Sequence, residues 1–341
     1  MRKSKSSIAR LTVIFHSLRD FFVVRMDFTV STKISVVVPV FNVAPYLTDC
    51  MNSLINQTLS EIEIIAVNDS STDNSLDILR NFSQKDSRIK IIDHPFNMGT
   101  AQARNHGLKM ANGRYVAFLD GDDYVDNNYY EKLFDASENG SVDIVKALTK
   151  THHVDGRIEI ATDNQEIRKN GKYAFIGHLL TAIYKHDMLL KHNIKFHIDF
   201  FCFQIQCVYY ANKIICIDDT FYNYIRHTDS CDSEVFSLEK WKRLNLGHAN
   251  YIYNWVKTHE YQEDAKESYL KHVKNLYFYG FNKLRKEDVI AGCHILSDTL
   301  KNNFNCGFDT CNIKKLERII YRKNKKTNLL DYLLNVLKGN I

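Results

Sequence analysis

Proline is nearly absent from this sequence, with three among 341 residues, so long disordered linkers are not expected. No uninterrupted apolar run reaches the length of about 18 residues that a membrane-spanning helix needs. The eight cysteines include no C-x-x-C pair, which argues against a zinc ribbon or a thioredoxin-like site. Scattered thiols without a secretory signal are typical of a reducing cytoplasm, and we expect the protein to act there.

An excess of positive charge is confined to the two ends of the chain. Residues 1–26 contain six Lys and Arg and one Asp, and residues 313–341 contain eight Lys and Arg and two acids. The body between them is acidic, whereas a nucleic-acid-binding protein needs a basic working face. Nucleic acid is therefore not an expected partner. Basic ends suit either peripheral contact with an anionic membrane, here the inner face of the cell membrane, or solvated termini.

Residues 1–32 form a basic amphipathic N-terminal extension in our interpretation. Apolar residues recur at a three–four spacing from Ile8 to Phe22, with arginines between them, which predicts an amphipathic helix. Such a helix suits a membrane surface or another subunit. A third interpretation is that Met26 is the true first residue. A similar apolar stripe, interrupted by KNKK, runs through residues 313–337.

From Lys33 onward, short apolar runs rich in β-branched residues alternate with helical patterns. The runs are residues 34–40, 61–67, 88–93, 114–120 and 142–147. Strands that alternate with helices predict an α/β fold with a mostly parallel sheet flanked by helices. Because the runs show little polar alternation, we expect the strands to be buried on both faces.

The pattern changes after residue 150. It predicts a turn at 154–157, a helix at 181–192, an irregular segment at 197–214 and a final strand at 216–227. From about residue 235 helical composition dominates. The sequence therefore divides into the N-terminal extension, an α/β domain at 33–232 and a helical C-terminal region at 233–341.

Four carboxylates crowd into FLDGDDYVD, residues 118–126, directly behind an apolar run. Asp120 and Asp122 are two residues apart, so both can lie on one face at a strand tip, and Gly121 allows a ligand to approach the backbone. Carboxylate oxygens are the ligands that Mg²⁺ and Mn²⁺ prefer. The alternative is an acidic turn that caps the next helix.

Other polar and aromatic residues also follow predicted strands, and in such sheets ligands bind at the carboxyl ends of the strands. Phe41 and Asn42 come after the first strand and can form a pocket for a flat ring or a simple turn. Asp69 ends the second strand, one step too early to cap the helix, and so can accept a hydrogen bond from a base. Arg104 can meet a phosphate or carboxylate, or be a surface charge on its helix.

Four segments in this order and spacing carry a resemblance: PVFN, VNDSSTDNS, NMGTAQARNHGL and FLDGDD. They resemble the nucleotide-sugar domain of family 2 glycosyltransferases, which have the GT-A fold. The resemblance covers residues 33–230, and TAIYKHDMLLKHNIKF (181–196) is similar to the segment that leads to the family's acceptor side. One departure is Ser70, at a position where the family often has glycine.

The resemblance implies roles at matching positions. The uracil region of a UDP-sugar would lie against Pro39, Phe41 and Asp69, and Asp122 would ligate the Mn²⁺ or Mg²⁺ that bridges the diphosphate. Asp120 would contact the ribose or the metal's ligand sphere, and Arg104 would lie near the donor. The residues assigned to nucleotide-sugar binding are Pro39, Phe41, Asn42, Asp69, Arg104, Asp120 and Gly121.

The catalytic base is the second departure from the family. Family members commonly have Glu-Asp-x-x-Phe, with the Asp as base, and the matching residues here begin at Asp199, which leaves Phe200 at the base position. One residue is about 100° of helix rotation, so Asp199 serves as base only if the segment is offset. By chemistry His197 and His227 are further candidates. Of the two, His227 is preferred, since the family often has a basic residue there that can reach the diphosphate.

The sequence thus predicts an inverting, metal-dependent, non-processive glycosyltransferase. It would move a sugar from a UDP-sugar to a lipid-linked or growing bacterial surface polysaccharide, such as capsule, exopolysaccharide, O-antigen or teichoic acid. The lack of a Q-x-x-R-W motif argues against a processive synthase. One alternative is a degenerate nucleotide-sugar-binding partner subunit of a glycosyltransferase complex. A nucleotidyltransferase ranks last, because no glycine-rich basic loop follows the first strand. Homo-oligomerisation is left open.

Overall fold

The computed structural model describes most of the chain between residues 32 and 261 and parts of both ends. The described residues are 10–14, 23–27, 32–170, 179–197, 200–227, 237–261, Lys266, Leu270, Leu284 and 288–304. Near the N-terminus, strands β1 (Arg10–Ile14) and β2 (Val23–Asp27) pair antiparallel. The helix expected over Ile8–Phe22 is therefore wrong for Arg10–Ile14, whose β-branched Thr-Val-Ile run favours a strand, as does the Val-Val run of β2 beyond it. The C-terminal apolar stripe lies outside the described residues.

A regular parallel unit follows, as the alternation of strand and helix patterns predicts. Its elements are Ile34–Val40 (β3), Ala44–Ile55 (α1), Ile62–Asn68 (β4), Ser75–Lys85 (α2), Ile89–Asp93 (β5), Thr100–Met110 (α3) and Tyr115–Phe118 (β6). Strands β3, β4 and β6 are buried along their whole length. This burial agrees with strands that helices cover on both faces.

The second half of the sheet mixes strand directions. Its elements are Tyr124–Val125 (β7), Tyr129–Asp135 (α4), Ile144–His152 (β8), Ile158–Ile160 (β9), Asp163–Asn170 (α5), Ala182–Lys185 (β10), His186–Lys191 (α6), Phe200–Tyr210 (α7) and Ile214–Ile225 (β11). The strand order is β5–β4–β3–β6–β10–β8–β11–β7, with β9 beside β8. Only β7, β9 and β10 run against the others, so the sheet is mostly parallel, as expected.

Strand β3 accommodates Pro39 because β6 ends before it. The carbonyl of Val37 accepts a hydrogen bond from Leu119 on the β6 side, and the carbonyl of Val40 accepts one from Asp69 on the β4 side. Since backbone groups alternate along a strand, the nitrogen of Pro39 faces the β6 side, beyond Phe118. No ladder hydrogen bond is lost, so a proline is tolerated in a central strand.

Two expectations for the second half are wrong, whereas the turn at 154–157 and the final strand at 216–227, observed as β11 (Ile214–Ile225), are confirmed. Residues 181–192 form β10 followed by α6 rather than a single helix, because β10 is buried between β6 and β8. Residues 197–214 include helix α7 rather than an irregular segment. Residues 202–208 of α7 are all buried, so no polar face produces a helical period in the sequence. The turn at 154–157 is confirmed; it joins β8 to β9, and Gly156 has φ +84° there.

Helices cover both faces of the sheet, and one close contact positions a residue used below. Helices α1, α2 and α4 pack on one face, and α3, α6 and α7 pack on the other. A Cβ atom at Gly107 of α3 would lie 2.2 Å from Cγ1 of Val37, so α3 rests directly on β3. This close approach holds Arg104, one turn earlier, against the carboxyl end of the sheet.

Besides the π-helical segment Lys242–Leu246, the described part of the C-terminal region contains α-helices. These are Leu238–Trp241 (α8), Gly247–Thr258 (α9) and Val289–Phe304 (α10). Trp255 of α9 contacts the rings of Tyr209 and Tyr210 at the end of α7. Within the described residues, none of the helices combines the length and apolarity that a membrane crossing requires.

Candidate active site

The candidate site lies where the chain changes winding direction. From β3 the chain moves outward through β4 to β5 and then returns to place β6 on the other side of β3. The carboxyl ends of β3 and β6 therefore form the switch point at which ligands bind in open α/β sheets. Gly121 marks the contact between the two ends, because a Cβ there would lie 3.0 Å from Cγ2 of Val43 and 3.3 Å from the carbonyl of Pro39. Glycine at 121 thus allows the chain itself to pack closely.

Three carboxylates converge after β6. Asp120, Asp122 and Asp123 each offer an oxygen, and these oxygens lie within 4.8 Å of one another. Burial, and then the charge of Asp120, raise the pKa of the Asp122 carboxyl above its ordinary value. Crowded carboxylates with such a raised pKa favour the arrival of positive charge. This donor set suits a hard divalent cation, which accepts carboxylate oxygens and completes its shell with water and phosphate oxygens.

Arg104 already neutralises part of this charge. Its Nη2 lies 2.5 Å from Oδ1 of Asp120, and the arginine side chain is 4% exposed. The guanidinium also lies over the ring of Phe196, 5.6 Å from its centroid. Arg104 is therefore a buried partner of the acidic loop rather than a surface charge on α3.

Asp69 is committed to the loop that precedes α3. Its Oδ1 accepts a hydrogen bond from the backbone of Met98 at 2.8 Å and pairs with Nδ1 of His94 at 2.7 Å, and its Oδ2 accepts one from Gly99 at 2.7 Å. His94 Nε2 in turn lies 2.8 Å from Nδ1 of His106. The sequence did not indicate these histidines, because their partnership depends on the packing of β5 against α3.

The residues after β3 are held by the loop after β4. Asn42 has φ +54°, and its side-chain oxygen accepts a hydrogen bond from the backbone of Thr72 at 2.8 Å. Ser70 has φ +61°, a region that glycine adopts without strain, which explains why the family often has glycine there. Phe41 is 47% exposed beside this braced loop, and Pro39 is buried beneath it. The arrangement leaves one aromatic ring open at the switch point.

His227 lies over the acidic loop from the other half of the sheet. Its Nε2 is 3.1 Å from Oδ2 of Asp122, and its ring stacks on Tyr46 of α1 with centroids 4.3 Å apart. Its Nδ1 is buried and has no hydrogen-bond partner among the described residues. The structure thus brings His227 together with Asp122, although 105 residues separate them.

Asp199 lies outside the described residues. Helix α7 begins at the next residue, and Phe203 stacks on Phe196 with centroids 4.2 Å apart inside the core. His197 lies beside Tyr251 of α9, with ring centroids 5.0 Å apart.

A family model and curated relatives match this chain. The model described as Glycosyl transferase family 2 matches residues 35–210, about half of the chain. EpsJ of Bacillus subtilis, an uncharacterized glycosyltransferase, is 32% identical over 214 residues, which are 58% of this chain and 62% of EpsJ. The poly(ribitol-phosphate) beta-glucosyltransferase of Bacillus spizizenii is 38% identical over 128 residues, which are 37% of this chain and 20% of that protein. The chain therefore spans less than two thirds of the length of both relatives.

A solved structure shares the fold. The crystal structure of S. aureus TarS residues 1–349 in complex with UDP-GlcNAc has a TM-score of 0.65 and 22% identity, and the match covers 90% of this chain and 92% of that one. At this level of identity the likeness concerns the fold alone. The expected GT-A fold, with its mostly parallel sheet and flanking helices, is confirmed.

Proposed function

This chain belongs to glycosyltransferase family 2, and from that premise we propose that it transfers a sugar from a UDP-sugar to an acceptor hydroxyl, with inversion and without processive elongation. The observation that carries the proposal is the placement of Asp120 and Asp122 at the switch point, with oxygens within 4.8 Å. The exposed ring of Phe41 comes directly after the neighbouring strand β3. A metal-bound diphosphate next to a stacked base requires these two features side by side.

The proposed uridine pocket lies at the ends of β3 and β4. Phe41 would stack on the base, with Pro39 and Asn42 shaping the pocket beside it. A carboxylate accepts about four hydrogen bonds, and the three that Asp69 accepts within the chain leave it one for a base N–H. In support of a uridine nucleotide, the TarS structure with the same fold holds UDP-GlcNAc.

Asp122, with Asp120 beside it, would hold Mn²⁺ or Mg²⁺. When bound, such an ion stabilises the negative charge that develops on the departing UDP. Arg104 contributes through its ion pair with Asp120, which holds that carboxylate in a fixed orientation. His227, above Asp122, is proposed to reach the diphosphate with its imidazole.

The acceptor hydroxyl must lose its proton as its oxygen attacks the anomeric carbon. The bond from that carbon to UDP breaks while the new glycosidic bond forms on the opposite face, which inverts the configuration. We assign the proton to Asp199, the carboxylate directly before α7. Phe200 cannot take this role, because its side chain has no basic group.

The proposed acceptor is a lipid-linked or growing bacterial surface polysaccharide. The relative that acts on poly(ribitol-phosphate) supports this class, since its name gives a polymeric acceptor. Such an acceptor requires the protein to work at the inner face of the membrane, and the basic residues of 1–26 suit an anionic surface. Deleting residues 1–26 should release the full-length protein from anionic liposomes; unchanged binding in a flotation assay would contradict this role.

A second candidate function is a partner subunit that binds the nucleotide sugar without turning it over. The observation that favours it is Phe200 at the family's base position. Binding of a UDP-sugar with neither hydrolysis nor transfer, in the presence of Mn²⁺ and a range of acceptors, would support this candidate over the enzyme.

A donor screen tests the proposal. The full-length protein is heated with UDP-, GDP- and dTDP-sugars, with and without Mn²⁺, and the hydrolysis of each donor is measured in parallel. We expect UDP-sugars to raise Tm only when Mn²⁺ is present, because a ligand that binds the folded state stabilises it. A GDP- or dTDP-sugar as the preferred ligand, or stabilisation that ignores Mn²⁺, would contradict the assignment.

A further inference from the structure

The four carboxylates of residues 120–126 fall into two pairs with different surroundings. Asp120 and Asp122 are 27% and 29% exposed and face the site. Asp126 accepts hydrogen bonds from β11 instead, with its Oδ2 3.1 Å from the backbone nitrogen of Phe221 and its Oδ1 2.9 Å from the amide of Asn223. Half of this acidic motif therefore attaches the loop to β11.

Asp123 makes the deepest of these attachments. It is 1% exposed, its Oδ1 accepts a hydrogen bond from the backbone of Ile225 at 2.8 Å, and its Oδ2 accepts one from the hydroxyl of Tyr222 at 2.6 Å. The Tyr222 hydroxyl also accepts a hydrogen bond from the backbone of Asp120 at 3.3 Å. One buried hydroxyl and one buried carboxylate thus join both ends of the DGDD turn to β11.

Strand β11 delivers His227 to the site. Ile225, which donates to Asp123, lies two residues before His227, whose Nε2 is 3.1 Å from Asp122. The acidic loop and the histidine belong to distant parts of the chain, and the hydrogen bonds of Asp123, Asp126 and Tyr222, together with the short β7–β11 pairing, join the loop to the strand that leads to His227. The hydrogen bonds of Asp123 therefore connect the loop that contains Asp122 to the strand that leads to His227.

We propose that Asp123 and Tyr222 form a positioning clamp that sets the distance between Asp122 and His227, and that Asp123 is not a metal ligand. Each oxygen of Asp123 accepts a hydrogen bond from β11 and the side chain is 1% exposed, so it is directed into the protein, whereas Asp122 is 29% exposed and faces the site. The inference rests on the proposed function in one respect, that Asp122 holds the metal. Beyond that function, the inference identifies Asp123 and Tyr222 as the residues that hold the acidic loop and the end of β11 at a fixed distance.

The first test removes one oxygen atom. Tyr222→Phe keeps the buried ring but deletes the hydroxyl that joins Asp123 to Asp120. We expect the affinity for Mn²⁺, measured by electron paramagnetic resonance of the free ion, to fall about tenfold, and kcat to fall about tenfold to hundredfold, because a misplaced group costs rate steeply. The matched control is Tyr115→Phe, which deletes the hydroxyl of another buried tyrosine that donates to Val142.

A double-mutant cycle separates positioning from general stability. If the clamp acts through His227, the loss of Mn²⁺ affinity caused by Tyr222→Phe disappears when His227→Gln is already present, because the effects of interacting residues are non-additive. The Tyr115→Phe cycle should be additive. Additive Mn²⁺ affinities in the Tyr222 cycle, or equal losses in Tyr222→Phe and Tyr115→Phe, would overturn the proposal.

Asparagine substitutions test whether Asp123 is a ligand. Asp122→Asn should lose nearly all Mn²⁺ affinity. Asp123→Asn keeps an oxygen for the backbone of Ile225 and should lose about tenfold, as Tyr222→Phe does. Equal and complete loss in both variants would show that Asp123 ligates the ion. Failure of the proposed function is distinguishable, because it appears as absent sugar transfer in the unmodified protein, whereas the cycle reads ion binding alone.

Discussion

The two halves of the sheet differ in where their polar side chains find partners. In the first half, residues 33–123, the groups at strand ends mostly contact neighbours in the same half, as Asp69 does with Gly99 and Arg104 with Asp120. In the second half, residues 143–227, the end of β11 reaches across to the first, as Tyr222 does with Asp123 and His227 with Asp122.

This difference separates binding from turnover. The first half supplies the side chains of the proposed uridine pocket and of the proposed metal site, and Tyr222 of the second half holds the metal site in position. The second half supplies the proposed base and the histidine, which matter only when they are held at the correct distance. Losses in the proposed uridine pocket and metal site of the first half should therefore appear in donor and metal binding, and loss of Asp199 in the second half should appear mainly in rate, whereas loss of Tyr222, which joins the two halves, should affect both.

The largest expected effect comes from the first half. Asp122→Ala removes the proposed metal ligand and should abolish both turnover and metal-dependent UDP binding, a loss of about 10³-fold or more in kcat. Isothermal titration with UDP, with and without Mn²⁺, and a transfer assay measure the two effects. Asp77→Ala, which removes an exposed carboxylate of α2, is the control. Full activity of Asp122→Ala would place the metal elsewhere.

The second half should give the opposite signature. Asp199→Asn removes the proposed base and should lower kcat about 10²-fold while leaving the affinity for the UDP-sugar unchanged, because general base catalysis contributes to rate and not to donor binding. Asp187→Asn, an exposed carboxylate of α6, is the control. A rate equal to that of the unmodified protein would assign the base to another group, and weakened donor binding would erase the distinction between the halves.

The same difference decides how much the sequence could predict. Strands β3 to β6 and the residues at their ends could be predicted from apolar runs and short motifs, because the residues that define each strand and each motif are neighbours in the sequence. The whole of α7 was missed because its buried faces leave no helical period. The clamp of Asp123 and Tyr222 was also missed, because nothing in FYNYIRH indicates that one tyrosine pairs with a carboxylate 99 residues away.

A smaller effect tests the base pocket of the first half. Phe41→Ala should weaken UDP binding about tenfold to hundredfold, since stacking of a base on an aromatic ring is worth about 1–3 kcal/mol, and it should leave kcat at saturating donor nearly unchanged. Phe96→Ala is the control, because Phe96 is also exposed but follows β5, away from the switch point. Equal losses in the two variants would remove the assigned role of Phe41.

The smallest expected effects compare one carboxylate–arginine pair from each half. Hydrogen bonds from Arg88 lower the pKa of Asp86, and hydrogen bonding from Arg168 lowers that of Asp218. Since each folded pKa lies below the value of about 3.9 in the unfolded chain, each pair contributes stability above that pH and loses it as the pH falls through the folded pKa. The Asp86 carboxylate is 18% exposed and that of Asp218 is 46% exposed.

Water screens Asp218 more, so the two pairs should differ in how strongly they stabilise the fold. Asp86→Asn should lower the free energy of unfolding at pH 7 by about 1 kcal/mol or less, and this difference from the unmodified protein should shrink as the pH falls below about 3.9 and through the lowered folded pKa of Asp86. Asp218→Asn should show a smaller change of the same sign. Urea unfolding at several pH values measures both. A larger loss of unfolding free energy in Asp218→Asn would contradict this ranking. It would mean that the Arg168–Asp218 pair between α5 and β11 stabilises the fold more than Asp86 and Arg88 do, although Arg88 also bonds the end of α1.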